Sequence, residues 1–151
     1  MLTKNGMAIM RLLADYGRKS TTVKNTSGVD STLFPNSNSY GVFLTNLKVY
    51  VGSGTTAETI DDYCLESQIN TLDIISSTGT NSNNPSYIDG YINTFTSTFK
   101  NNTNADITVN EIGIIGKENT YNVEALIYRE VLDTPITIAP NTTKAFSVTI
   151  S

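Results

Sequence analysis

The stretch Ile107-Thr108-Val109-Asn110-Glu111-Ile112-Gly113-Ile114-Ile115 holds two apolar alternations that are out of step with each other. Ile107 and Val109 share one phase, and Ile112 and Ile114 share the other. Successive side chains of a strand point to opposite faces, so a change of phase requires an extra residue. A bulge or bend is therefore expected at Asn110-Glu111. Downstream, Val123, Ala125 and Ile127 alternate with Leu126 and Tyr128 over 123–130. Residues 136–138 form a short strand closed by Ala139-Pro140-Asn141, and Phe146, Val148 and Ile150 alternate strictly over 144–150. Upstream, Tyr91, Phe95 and Phe99 share one face of 91–99, with a turn at 101–104. Short strands separated by turns, with no strong internal repeat, indicate an antiparallel sandwich or barrel.

The N-terminal half is more mixed. Residues 40–51 read as a strand, with a bulge near Thr45-Asn46 to realign Leu47, Val49 and Val51 with the apolar positions before them. Gly52-Ser53-Gly54-Thr55-Thr56 reads as a tight turn with glycines at φ > 0. Residues 59–69 read as a short helix. Thr59 is its N-cap, Asp62 completes a box-like pair, and Leu65, Ile69 and Leu72 face the core at helical spacing. Residues 76–86 are a low-complexity loop. At the other end, Ile9, Leu12, Leu13 and Tyr16 fall on one face of a helix over 7–16, which Gly17 can stop. A helix this short must dock that face somewhere. It packs on its own domain, or it anchors the chain to a neighbouring subunit; Ile9, Leu12, Leu13 and Tyr16 are the candidate assembly interface. Residues 20–39 are polar, with one short strand over 20–24. The expected organisation is an N-terminal helix and extended arm over 1–39 and a β-sandwich domain over 40–151. The expected fold is mainly β: a jelly-roll-like antiparallel sandwich with the N-terminal helix and one short helix after the Gly-Ser-Gly turn.

Composition narrows the chemistry. Ser, Thr and Asn supply 54 of the 151 residues and only 16% are charged, yet Ile, Val, Leu, Phe and Tyr are too regularly placed for a disordered chain. There is no His, which excludes Ser-His-Asp and Cys-His units, and a single Cys excludes intrachain disulfides and paired-cysteine zinc sites. A net charge of −4 and a pI of 4.6 argue against a general nucleic-acid binder. No window is long and apolar enough to span a membrane. The apolar run over 7–13 is broken by Arg11 and lacks the marks of a signal peptide, so synthesis and retention in a cytoplasm are expected, in weak agreement with an unpaired Cys64.

The motifs that could carry chemistry each have a structural reading. The Gly52–Gly54 loop lacks the Gly-Lys-Ser/Thr ending of a phosphate loop. Glu58, Asp61, Asp62 and Glu66 form an acidic cluster, but adjacent carboxylates on one short helix do not straddle a glycosidic bond, and capping explains them. No Asp/Asn-Gly calcium loop is present. Glu111 lies among apolar neighbours and needs a partner; Arg129, one of three arginines, is the expected one, on the next strand. Cys64 reads as a small apolar residue, since no His is available to activate it. The sequons at Asn25, Asn101 and Asn141 follow from composition. The eight tyrosines leave a sugar-binding face open. No catalytic, cofactor or metal-ligating residue is assigned.

Four segments, in order, resemble a family of small bacteriophage virion structural proteins. They are Val51-Gly52-Ser53-Gly54-Thr55-Thr56 with Asp61-Asp62-Tyr63-Cys64-Leu65-Glu66; Phe95-Thr96-Ser97-Thr98-Phe99 with Asp106-Ile107-Thr108-Val109-Asn110-Glu111-Ile112-Gly113; Ala125-Leu126-Ile127-Tyr128-Arg129 with Val131-Leu132; and Ile136-Thr137-Ile138 with Phe146-Ser147-Val148-Thr149-Ile150. The resemblance covers 40–151 and leaves the first forty residues outside. It implies a non-enzymatic β-rich assembly module: a capsid-decorating, neck, tail or fibre-base component. The module would be made in the host bacterial cytoplasm and incorporated in the virion, with other virion proteins and copies of itself as partners. The alternative is a carbohydrate- or receptor-binding module on a virion.

Overall fold

The computed structural model describes residues 1–14, 20–33, 44–78, 93–118 and 122–150, with the backbone alone described for 12–14, 44–46, 93 and 118. Its described part is mainly β. One helix, α1 (Lys4–Ala14), precedes β1 (Thr21–Lys24), β2 (Asp30–Leu33), β3 (Leu44–Gly52), β4 (Leu72–Thr78), β5 (Asn93–Asn101), β6 (Ile107–Glu118), β7 (Val123–Ile138) and β8 (Thr143–Ile150). All strand pairing is antiparallel: a β1-β2 hairpin, a sheet of order β3-β6-β7 and a sheet of order β4-β5-β8.

Two of the register shifts fall at the bulge sites expected from the sequence. The β6-β7 register shifts between Val109 and Glu111, and the β3-β6 register between Thr45 and Lys48. In β6 the shift keeps Val109 and Ile112, three residues apart, in the same core. One core takes Val49, Val51, Val109, Ile112 and Ile114 from the first sheet and Phe95, Phe99, Phe146 and Val148 from the second. Phe99 and Phe146 meet edge-to-face, with ring centroids 5.9 Å apart. The opposite face of β3-β6-β7 is also covered, by residues 53–71. Leu65 from that segment packs with Ile115 and Leu126, against half-buried Tyr50.

Helix α1 lies against β1 and β7 of the same chain. Thr3 begins it: its hydroxyl oxygen accepts from Gly6 N at 3.1 Å and donates to Leu126 O at 2.7 Å. Ile9 is 5% exposed and belongs to the main core. The Asn5 side chain ties the helix to β1, accepting from Lys24 N at 2.9 Å and donating to Lys24 O at 2.7 Å. The side chains of Leu12 and Leu13, and all of Tyr16, lie outside the described residues, as do 34–39 of the expected arm, 40–43 of the expected strand that follows it, and 79–92, which include most of the expected low-complexity loop and Tyr91.

The second helix expected over 59–69 is not present. Thr59 and Asp62 do interact, with Thr59 N 3.0 Å from Asp62 Oδ2 and the Thr59 hydroxyl 2.9 Å from Asp62 Oδ1, but they close only a turn. Beyond it the chain extends to pair with β3: Ser53 N donates to Ser67 O and Ile69 N to Val51 O. Leu65, Ile69 and Leu72 therefore do not form one helical face. Leu65 enters the smaller cluster, while Ile69 and Leu72 join the main core. Strand β2 falls where loop was expected, β4 runs into the start of the loop expected over 76–86, and residues 123–130 and 136–138 belong to the single strand β7.

Candidate functional site

The chemically densest place in the described structure lies between β6, β7 and the covering segment 53–71. Glu111 is fully buried and Arg129 is 3% exposed. Arg129 Nε donates to Glu111 Oε2 at 2.8 Å. The rest of the Glu111 carboxylate accepts from three backbone amides: Gly54 N at 3.2 Å and Ser67 N at 2.8 Å on Oε1, and Glu66 N at 3.1 Å on Oε2. One carboxylate thus holds both arms of the covering segment.

Arg129 holds the same segment from the other side. Its Nη1 donates to Asp62 Oδ2 at 2.8 Å and its Nη2 to the Thr56 carbonyl at 3.0 Å, with Glu66 Oε2 3.6 Å from Nη2. Glu66 in turn accepts from Thr56 N at 2.8 Å and from the Thr56 hydroxyl at 2.6 Å. The planar guanidinium fork suits this task, because it offers fixed donors to several acceptors at once. Among the described residues, no buried side-chain nitrogen or oxygen lacks a partner.

Room for this knot comes from glycines. A Cβ at Gly54 would sit 2.5 Å from Glu66 Cβ and 2.7 Å from Glu111 Oε1. At Gly52 it would meet Glu111 Cγ and Ser67 O, both at 2.7 Å. Neither residue has positive φ; among the described glycines only Gly28 does, at 81°. The expectation that Gly52 and Gly54 supply left-handed turn geometry is corrected accordingly: they are needed for close approach.

The electrostatics follow from this geometry. Burial disfavours the Arg129 charge, but hydrogen bonds to Asp62 and Glu111 outweigh it and raise the guanidinium pKa. Burial likewise works against the Asp62 carboxylate, yet the Thr59 amide and Arg129 bring its pKa below the ordinary value. The Thr56 hydroxyl and amide lower that of Glu66. Half-buried Cys64 is pushed up, first by burial and then by the Glu111 charge, which is unfavourable to a reactive thiolate.

The structure thus brings Glu111 and Arg129 together and adds Asp62 and Glu66, two members of the acidic cluster. Asp61 points elsewhere, to an exposed ion pair with Lys4. Among the described residues, no group of Asp, Glu, His and Cys is placed to hold a metal ion. Sequence reasoning also missed Asn101. Buried at the end of β5, it donates to Ala105 O and Ile138 O, both at 2.8 Å, and accepts from Thr103 N at 2.9 Å and the Thr103 hydroxyl at 2.7 Å. It fastens the end of β7 to the second sheet. The only signal was an Asn at a strand end, which reads as a turn residue.

The outer face of β5 and β8 is lined with hydroxyls. Thr94 and Thr149 lie 2.9 Å apart, and Thr96 and Ser147 2.8 Å apart. Comparison of the chain with known protein families, with curated proteins and with solved structures returns no match.

Proposed function

We propose that this chain is a non-enzymatic bacteriophage virion structural protein that assembles with other virion subunits, and that its two three-stranded sheets form a β-sandwich. The shared core of the sheets supports the sandwich reading. One observation carries the functional reading: the buried charged cluster is wholly engaged in fastening residues 53–71 to the sheet. A catalytic carboxylate needs a face open to substrate, whereas Glu111 has none, its oxygens being occupied by amides and a guanidinium. Such a knot makes a rigid module, which suits a subunit that must hold its shape against neighbours. The resemblance of residues 40–151 to small virion proteins supplies the location, and glycan, nucleic acid, membrane and cofactor have no part in this reading.

Purified phage particles probed by mass spectrometry and by gold-labelled antibody test it. Labelling at one fixed place on the particle is expected. A protein abundant in infected cells but absent from particles would contradict the proposal.

A second reading, a carbohydrate- or receptor-binding module on a virion, draws on the hydroxyl rows of β5 and β8. A glycan array with Thr96→Val and Thr149→Val controls separates it from the first.

A further inference from the structure

The outward N–H and C=O groups of an edge strand need cover, water or another strand. The edges of this molecule are treated very unequally. On β7, Thr3 N donates to Ile127 O at 2.9 Å, Arg129 N donates to Met1 O at 3.0 Å, and Leu2 bridges Tyr128. Thr26 N covers Glu124 O at 3.0 Å, and farther along Pro135 and the register shift interrupt the strand. On β3, Ile69 N occupies Val51 O and the Ser97 hydroxyl accepts from Val49 N at 3.1 Å. The Asn5 side chain takes both backbone groups of Lys24 on β1. Strand β4 is broken by a register shift between Ile74 and Ser76 and carries Asp73.

Of these devices strand β8 has only a single charge, and among the described residues nothing covers it. Its pairing with β5 runs unbroken from Asn93↔Ile150 to Lys100↔Thr143. Among the described residues, no backbone group pairs with its far side. It contains no Pro or Gly, and Lys144 is its one charge.

We infer that β8 is a self-association edge: it pairs antiparallel with β8 of a second copy about a twofold axis, with Ser147 opposite its own counterpart. The pattern of β8 is self-complementary in this register. Phe146 and Val148 meet on the core side, and Ala145 and Thr149 on the hydroxyl side. A one-residue slip would carry Ser147 inward and is disfavoured. Antiparallel pairing places Lys144 opposite Ile150 and keeps the two lysines at opposite ends of the seam. A parallel pairing would bring them together. The twofold arrangement also closes on itself: each copy covers the β8 edge of the other. The inference rests on the sheet edges and not on the virion reading. Particle labelling tests that reading, and solution mass tests this one.

The experiment is sedimentation equilibrium of the full chain across a wide concentration range, with thermal melts alongside. The wild type is expected to dimerise. Ser147→Lys/Thr149→Lys adds four lysines to the seam and should weaken the dimer at least tenfold while leaving the fold intact. Thr98→Lys, on the central strand β5, should leave it unchanged. Oxidation of Ser147→Cys in a Cys64→Ser background should give a cross-linked dimer, which keeps the test valid if the double lysine variant fails to fold. A wild type that stays monomeric throughout, a dimer that survives the double lysine substitution, or no cross-link would each overturn the inference.

Discussion

Arg129 stands opposite Gly113 in the β6-β7 register, and Glu111 stands opposite Val131, yet Arg129 and Glu111 share a 2.8 Å hydrogen bond. The pair is diagonal. A side chain at Gly113 would obstruct this region: a Cβ there would lie 2.8 Å from Leu65 Cδ2 and 2.9 Å from Leu126 Cδ1. The missing side chain lets Leu65 settle on the sheet, and Arg129 reaches along the same face to the covering segment.

Removing either partner leaves an uncompensated buried charge, which costs about 3–5 kcal/mol. Glu111→Ala and Arg129→Ala are each expected to lose that much. The double variant should lose clearly less than the sum, because the second change removes the group the first one stranded. Urea denaturation of the four proteins measures the coupling, and additive losses would show that the two side chains act separately.

The knot also makes stability depend on acid. Asp62 has a folded pKa below its ordinary value, so the unfolded chain takes up its proton first. Its contribution is full above about pH 4, near the unfolded carboxylate value, and is lost as the pH falls through the lowered folded value. Glu66 shifts in the same direction and acts in the same window. Denaturation midpoints should fall steeply below about pH 4, and Asp62→Asn should flatten that limb. An unchanged limb in this variant would assign the acid sensitivity to other groups.

Asn101 is a second fastening whose loss is predicted to be large. Its side chain makes four hydrogen bonds while fully buried. At about 1 kcal/mol each, Asn101→Ala should cost about 3–4 kcal/mol. Asn101→Asp should be at least as damaging, because a carboxylate cannot donate to Ala105 O and Ile138 O. Thermal melts decide this, and a loss below about 1 kcal/mol would mean that water replaces the network.

The N-terminal residues are predicted to stabilise the domain. Deleting 1–19 removes buried Ile9 and the strand-like cover that residues 1–3 give to β7. The shortened chain should melt well below full length and aggregate through the exposed β7 edge. Thr3→Val is the milder version; it removes the hydroxyl that bonds Leu126 O and Gly6 N and should cost about 1–3 kcal/mol. Equal melting of the shortened and full-length chains would leave the helix free to act as an anchor for a neighbour.

What could be read from the sequence was whatever periodicity records. The phase change at Asn110-Glu111 located a bulge, and the alternation of Phe146, Val148 and Ile150 located β8. What could not be read depended on tertiary partners. The spacing of Leu65, Ile69 and Leu72 fits a helix, but the amides of Glu66 and Ser67 bind Glu111 and the 67–69 backbone pairs with β3, so the segment is pulled straight. β2 is mostly polar, and β4 carries Leu72, Ile74 and Ile75 but is largely exposed beyond Leu72, so neither shows a sustained apolar alternation to find. Residues 123–138 form one strand despite Pro135, because the proline falls within the register shift where β6 requires no hydrogen bond. At the site, the Glu111–Arg129 pairing followed from charge and chain order. The part played by Asp62 and Glu66 required knowing that 53–71 folds back over the sheet.

The central claim is that the buried cluster holds residues 53–71 in place. Amide hydrogen exchange compared between the wild type and Glu111→Gln tests it most directly. Gln keeps the size of the side chain while replacing a carboxylate oxygen with an amide nitrogen that cannot accept from the backbone. The account predicts strong protection in the wild type at Gly54, Glu66, Ser67 and Ile69. In Glu111→Gln that protection should fall by at least tenfold while the amides of β5 and β8 keep theirs. Unchanged protection across 53–71 in the variant would contradict it.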